Sequence, residues 1–188
     1  LDLAHAMTRA GRLPDQPGIT GDVEQLPLAT SSVDAAVSSL TLQWALDLDI
    51  ALAELARVLR PGGVLVAATL ARGTLPELET ALQRVDGTGG GGPFLPRERM
   101  AAALSGAGLR GTACWCEEVV LEADSPRAVL RDLKGLGAVD KAPDRSRGLR
   151  GRDRLAQLDA AYRAACDCPA GPVPVTWQVA YLVGRWPG

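Results

Sequence analysis

The chain has 188 residues, of which 47% are apolar and 22% charged. That is the size and balance of one ordinary domain with a real core, and it excludes a disordered tail. The net charge of −2 argues against generic nucleic-acid binding. No run of about 18 apolar residues spans a membrane, and no basic-then-apolar start marks a signal peptide. A cytoplasmic setting with reduced cysteines is the expectation.

The chain opens Leu1-Asp2-Leu3-Ala4 without an initiator Met, and this segment reads like the middle of a fold. A longer protein, missing its N-terminal part here, is expected. Residues 1–3 read as the tail of a strand and 4–10 as a short helix. Residues 11–18 read as a loop with two prolines, and Ile19-Thr20 as a short strand ending at Gly21-Asp22. A turn-rich connection over 27–32 leads into a strand at 33–40.

Residues 47–59 give the best helix, with Leu48, Leu52, Leu55 and Leu59 at three- and four-residue steps. Pro61-Gly62-Gly63 is expected to stop it and turn the chain into the continuously apolar run 64–70. Such a run suits a parallel strand covered on both faces. Helix, glycine turn and buried strand predict an α/β doubly wound sheet.

The second half predicts helices over 75–85 and 97–107, then a strand over 112–121. A helix over 125–136 opens with Ser125 as cap and Pro126 at its first position. A charged loop over 140–154, a helix over 152–165 and a final strand over 173–183 follow. No repeat is present. The expectation is a single domain, 1–188, with helical cap or insertion segments at 71–110 and 124–172.

Gly87, Gly89 and Gly92 spell a Gly-x-Gly-x-x-Gly run. It follows a helix and leads to Pro93-Phe94, whereas a phosphate-binding turn must follow a strand and open a helix. It reads as a mobile loop. The cysteines form two Cys-x-Cys pairs, Cys114/Cys116 and Cys166/Cys168. Zinc sites usually use Cys-x-x-Cys spacing, so these read as buried or idle thiols and no metal is expected.

Ligands of an open α/β sheet bind outside the carboxyl ends of its strands. Asp2 closes the first visible strand, and a carboxylate there can accept from both hydroxyls of a ribose. Asp22 closes the next and can accept from an adenine amine; residues 38–43 close the third. Taken singly, Asp2 and Asp22 also read as helix caps and Ser39 as a turn residue.

In order along the chain stand Leu1-Asp2-Leu3-Ala4-His5-Ala6-Met7, Gly21-Asp22-Val23-Glu24-Gln25-Leu26-Pro27-Leu28, Val33-Asp34-Ala35-Ala36-Val37-Ser38-Ser39-Leu40 and Leu59-Arg60-Pro61-Gly62-Gly63. This series resembles the successive motifs of class I S-adenosylmethionine-dependent methyltransferases. Three further stretches are Ser39-Leu40-Thr41-Leu42-Gln43-Trp44, Thr69-Leu70-Ala71-Arg72-Gly73-Thr74-Leu75-Pro76-Glu77-Leu78 and Leu133-Lys134-Gly135-Leu136-Gly137-Ala138. They resemble the malonyl-acyl-carrier-protein O-methyltransferases of biotin synthesis, as does the closing Val175-Thr176-Trp177-Gln178-Val179-Ala180-Tyr181.

The resemblance implies a doubly wound Rossmann-like methyltransferase sheet lacking its first strand and glycine-rich turn, which should precede Leu1. It implies S-adenosyl-L-methionine as cofactor and a malonyl-bearing acyl carrier protein as partner. By the same resemblance Asp2, with Leu3 beside it, is the ribose carboxylate and Asp22 with Val23 frames the adenine. Ser39 and Leu40 line the cofactor. Gln43 and Trp44, just past a strand end, are candidates to face the acyl group, and Trp44 reads equally as core or lid packing. Ser39 stands where the family often has Asn, so its contact is expected from the backbone. The lone histidine, His5, is expected to be an exposed helix residue. No catalytic base is implied, because a malonyl carboxylate is already ionised at pH 7.

An arginine partner suits a free carboxylate; Arg72 is one candidate among many. Residues 141–154, with six basic against two acidic side chains, are a candidate carrier-docking patch. Competing readings are a methyltransferase-like assembly or scaffold protein, and a methyltransferase for another small acid or a quinone precursor. Oligomeric state is not legible.

Overall fold

A computed structural model describes residues 1–10, 18–87, 94–135 and 150–188, with side chains 150–152 set aside. Among these the elements run α1 (His5–Ala10), β1 (Val33–Ser39), a 3-10 turn (Leu42–Trp44), α2 (Leu48–Val58), β2 (Leu59–Leu70), α3 (Pro76–Asp86) and α4 (Arg97–Gly106). They continue with β3 (Arg110–Ala123), α5 (Pro126–Gly135), α6 (Arg150–Ala165) and β4 (Val173–Arg185). The glycine run at 88–92 and most of the basic stretch 141–154 lie outside the described residues.

The four strands form an open sheet in the order β1-β2-β4-β3. β1 and β2 are parallel, and β4 runs antiparallel to β2 over Val64↔Arg185 to Leu70↔Val179. The mixed sheet, with β4 antiparallel to β2, and its helices match the expected α/β class. The strands expected to end at Asp2 and Asp22 are corrected. Residues 1–3 and 19–20 meet in a single isolated parallel bridge, Asp2↔Thr20, because segments this short form too few ladder bonds to make a strand.

The α2–β2 junction also departs from expectation. Asp47 caps α2, accepting from the N–H groups of Asp49 and Ile50, but the helix ends at Val58 and Leu59 is already extended. Leu59 is fully buried and pairs with Val33. Pro61-Gly62-Gly63 therefore lies inside β2, looped out where the register jumps from Val33↔Leu59 to Ala35↔Val64. Gly62 takes φ +83, and a Cβ on Gly63 would stand 2.8 Å from the Arg60 carbonyl. The end of β4 closes this bulge: Gly62 N–H donates to Trp186 O and Trp186 N–H to Gly63 O.

β2 alternates instead of being covered on both faces. Leu65, Ala67 and Thr69 are buried, while Val66 is exposed. Its cross-strand partner Val37 is 79% exposed.

The chain divides into two compact units. The first comprises 1–72, 95–117 and 179–188, with α2 and α4 packed together. Its core gathers Leu52, Leu59, Leu65, Leu104 and Leu182. Cys114 and Cys116 pack against it from β3, and burial pushes both thiols up. The second unit comprises 73–94 and 118–178, with α6 packed on α3 and α5. Its core gathers Leu78, Val129, Leu133, Leu158, Tyr162 and Val173. Burial pushes the Tyr162 phenol up, and its hydroxyl donates to Pro174 O. The stretch 71–110 is thus shared between the units, since α4 packs on α2.

Candidate cofactor site

The candidate cofactor and acyl-group residues, from Asp2 to Trp44, all fall in the first unit. Asp2 and the chain before Asp22 are tied at the backbone: Asp2 N–H donates to Ile19 O at 3.2 Å, and Gly21 N–H to Asp2 O at 3.0 Å. This places the two carboxylates on neighbouring segments, Asp2 in the bridge itself and Asp22 two residues beyond its partner Thr20. Asp2 Oδ1 accepts from Ala4 N–H at 2.8 Å, and Asp22 Oδ1 from Glu24 N–H at 2.9 Å. Each is therefore a local turn cap. An ionised carboxylate has two oxygens and about four acceptor sites, so capping leaves room for a hydroxyl or an amine. Leu3 is exposed and Val23 half-buried, packing on the core. His5 is exposed, its Nδ1 3.1 Å from the Thr20 hydroxyl.

The segment after Asp22 is anchored to α2 by three charged side chains. Glu24 Oε1 accepts from Asp47 N–H at 2.7 Å, and Glu54 Oε2 from Leu26 N–H at 2.9 Å. Arg57 donates to Glu54, to Leu28 O and to Leu26 O. The hydrogen bond from Arg57 holds the Glu54 carboxyl below the usual carboxylate range, with Leu26 N–H and the charge of Arg57 helping against burial.

At the carboxyl end of β1, Ser39 is exposed and Leu40 takes φ +51. Trp44 is 58% exposed and Leu46 97%. Gln43 follows Leu40 in the loop after β1 and is half-buried. Its Nε2 donates to Leu40 O at 2.8 Å, and its Oε1 accepts from the Thr69 hydroxyl at 3.0 Å. Its amide braces the loop. Sequence reasoning missed Thr69; the signal was one hydroxyl on the buried side of an apolar strand. Arg72 N–H donates to Leu95 O.

A cavity of about 490 Å³, lined by Thr30, Ser31, Arg57, Pro61 and Trp186, lies at the opposite, amino ends of β1 and β2. None of the predicted site residues lines it. Among the described residues no group of three or more His, Cys, Asp or Glu could hold a metal.

The methyltransferase-domain family matches residues 1–67. A malonyl-acyl-carrier-protein O-methyltransferase of Serratia marcescens is 40% identical over 97% of this chain and 70% of its own length. The chain belongs to the malonyl-acyl-carrier-protein O-methyltransferase family. A second such family protein, from Laribacter hongkongensis, is 40% identical over 96% of this chain. The chain spans 65% of that relative's length. The fold is shared with a solved Bacillus halodurans structure described as a methyltransferase, at TM-score 0.60, 13% identity, 100% of this chain and 81% of that one. The O-methyltransferase family thus accounts for the chain well beyond the domain match at 1–67, through both units.

Proposed function

We propose that this chain binds S-adenosyl-L-methionine and methylates the free carboxylate of malonyl-acyl-carrier protein in the cytoplasm, as a step of biotin biosynthesis. The observation that carries the reading is the 40% identity to such enzymes over almost the whole chain. The residues present suit the cofactor. Asp2 and Asp22 are carboxylates on bonded neighbouring segments, one fit for ribose hydroxyls and one for an adenine amine. Leu3 and Val23 flank them, and Ser39 and Leu40 offer backbone at the end of β1.

When bound, the cofactor supplies an activated methyl on a sulfonium. The chain's own part is binding, alignment and exclusion of water. No side chain needs to remove a proton, because a malonyl carboxylate is ionised at neutral pH. The exposed Trp44 and Leu46 give an apolar rim beside Leu40, suited to keep water from an acyl thioester.

The test is mass spectrometry of carrier protein incubated with the protein and S-adenosyl-L-methionine. Malonyl-carrier protein should gain one methyl and lose it on mild alkaline hydrolysis, while acetyl-carrier protein stays unchanged. Equal labelling of both, or of neither, overturns the reading.

A further inference from the structure

Leu40 is a leucine in the left-handed region, a conformation that L side chains adopt only when their surroundings impose it. Two consecutive residues of β2 impose it here. Leu40 N–H donates directly to Ala68 O at 2.8 Å. Its carbonyl accepts from Gln43 Nε2, and Gln43 Oε1 accepts from the hydroxyl of Thr69. The peptide groups on both sides of the strained residue are therefore tied to one strand, one directly and one through a side-chain relay.

Thr69 stands out on its own face of β2. Its neighbours there, Leu65, Ala67 and Ala71, are buried and apolar, and Thr69 is 2% exposed. Packing alone would be met by valine, which has the same shape. The hydroxyl fixes which way the Gln43 amide points, with its oxygen toward β2 and its nitrogen toward Leu40. Without that donor the half-buried Gln43 oxygen loses its partner and the amide has no reason to keep its orientation.

We propose that Thr69 is a positioning residue for methyl transfer: through Gln43 it holds the Leu40 backbone in its left-handed conformation and so sets the cleft floor where donor and acceptor must align. This rests on the reading that the cofactor lies at the carboxyl ends of β1 and β2. Alignment errors of about 1 Å can cost about a hundredfold in rate, so the effect belongs in kcat and not in substrate binding.

The test compares wild type, Thr69→Val, Thr69→Ser and Gln43→Met. Valine keeps the shape and removes the donor, and serine restores it. Thr69→Val should lower kcat about ten- to a hundredfold with KM for malonyl-carrier protein within about threefold, and Thr69→Ser should recover most of the loss. By NMR the Leu40 amide and the Gln43 side-chain amide should exchange faster in Thr69→Val. Gln43→Met should match Thr69→Val, and the double variant should be no worse than either, since one relay is broken once. Should Thr69→Val not fold, Gln43→Met carries the same comparison. A wild-type kcat in Thr69→Val, equal loss in valine and serine variants, or additive losses would overturn the inference while leaving the proposed function in place. A wild-type protein that neither binds S-adenosylhomocysteine nor transfers methyl would overturn both.

Discussion

Glu77, in the first turn of α3, accepts the hydroxyl of Thr176 on β4, and both side chains are buried. Beside them Thr74 Oγ1 donates to Gln178 O at 3.2 Å and accepts from Gln178 N–H at 3.1 Å, and Leu75 N–H donates to Thr176 O at 2.7 Å. Two stretches that carry the narrower family resemblance, about a hundred residues apart, are thus one bonded unit. Their pattern serves to build the start of α3. Replacing Thr176 by Val removes a donor from a buried carboxylate and should cost about 1.5–3 kcal/mol in denaturant unfolding. A loss under half a kilocalorie would show that the pair is solvated.

Arg57 is the second structural anchor, because its fork serves Glu54 and two backbone carbonyls at once. Lysine keeps the charge but cannot make this fan of bonds. Arg57→Lys should lower the midpoint of denaturant unfolding and speed amide exchange of Leu26 and Leu28. Unchanged exchange there would contradict the anchoring of residues 22–30.

Glu54 gives the same anchor a pH dependence. Its folded pKa is lowered, chiefly by the Arg57 hydrogen bond. Its contribution is therefore full above the unfolded value near 4.5 and is lost as pH falls through the lower folded value. The stability gap between wild type and Glu54→Gln should be constant from pH 6 to 8 and shrink below about pH 4.5. A gap that widened in acid would reverse the sign.

Helix α2 was readable from its leucine spacing, and Asp47 as its cap follows from residue type and position. Leu52 is fully buried between helix and sheet, so Leu52→Ala should cost about 2–5 kcal/mol on thermal unfolding. The strand after it was readable as an apolar run, but its start was not. Leu59 satisfies a helical repeat and a strand equally well, and tertiary pairing with Val33 decided between them. Residues 1–3 and 19–20 look like strand ends because β-branched and apolar residues precede an aspartate, yet pairing length exists only in three dimensions. The roles of Gln43 and Thr69 were hidden for a similar reason: sequence shows that an amide stands after a strand, not which backbone group it meets.

In the proposed function, residues 1–40 hold the adenosine end of S-adenosyl-L-methionine, with Asp2 on the ribose. Calorimetric titration of S-adenosylhomocysteine into wild type and Asp2→Ala tests it most directly, read well below the melting temperature because Asp2 also caps Ala4 N–H. Wild type should bind saturably and the variant more weakly by about 1.5–3 kcal/mol, the scale of a lost charge-assisted hydrogen bond. Equal affinity in the two proteins would contradict it.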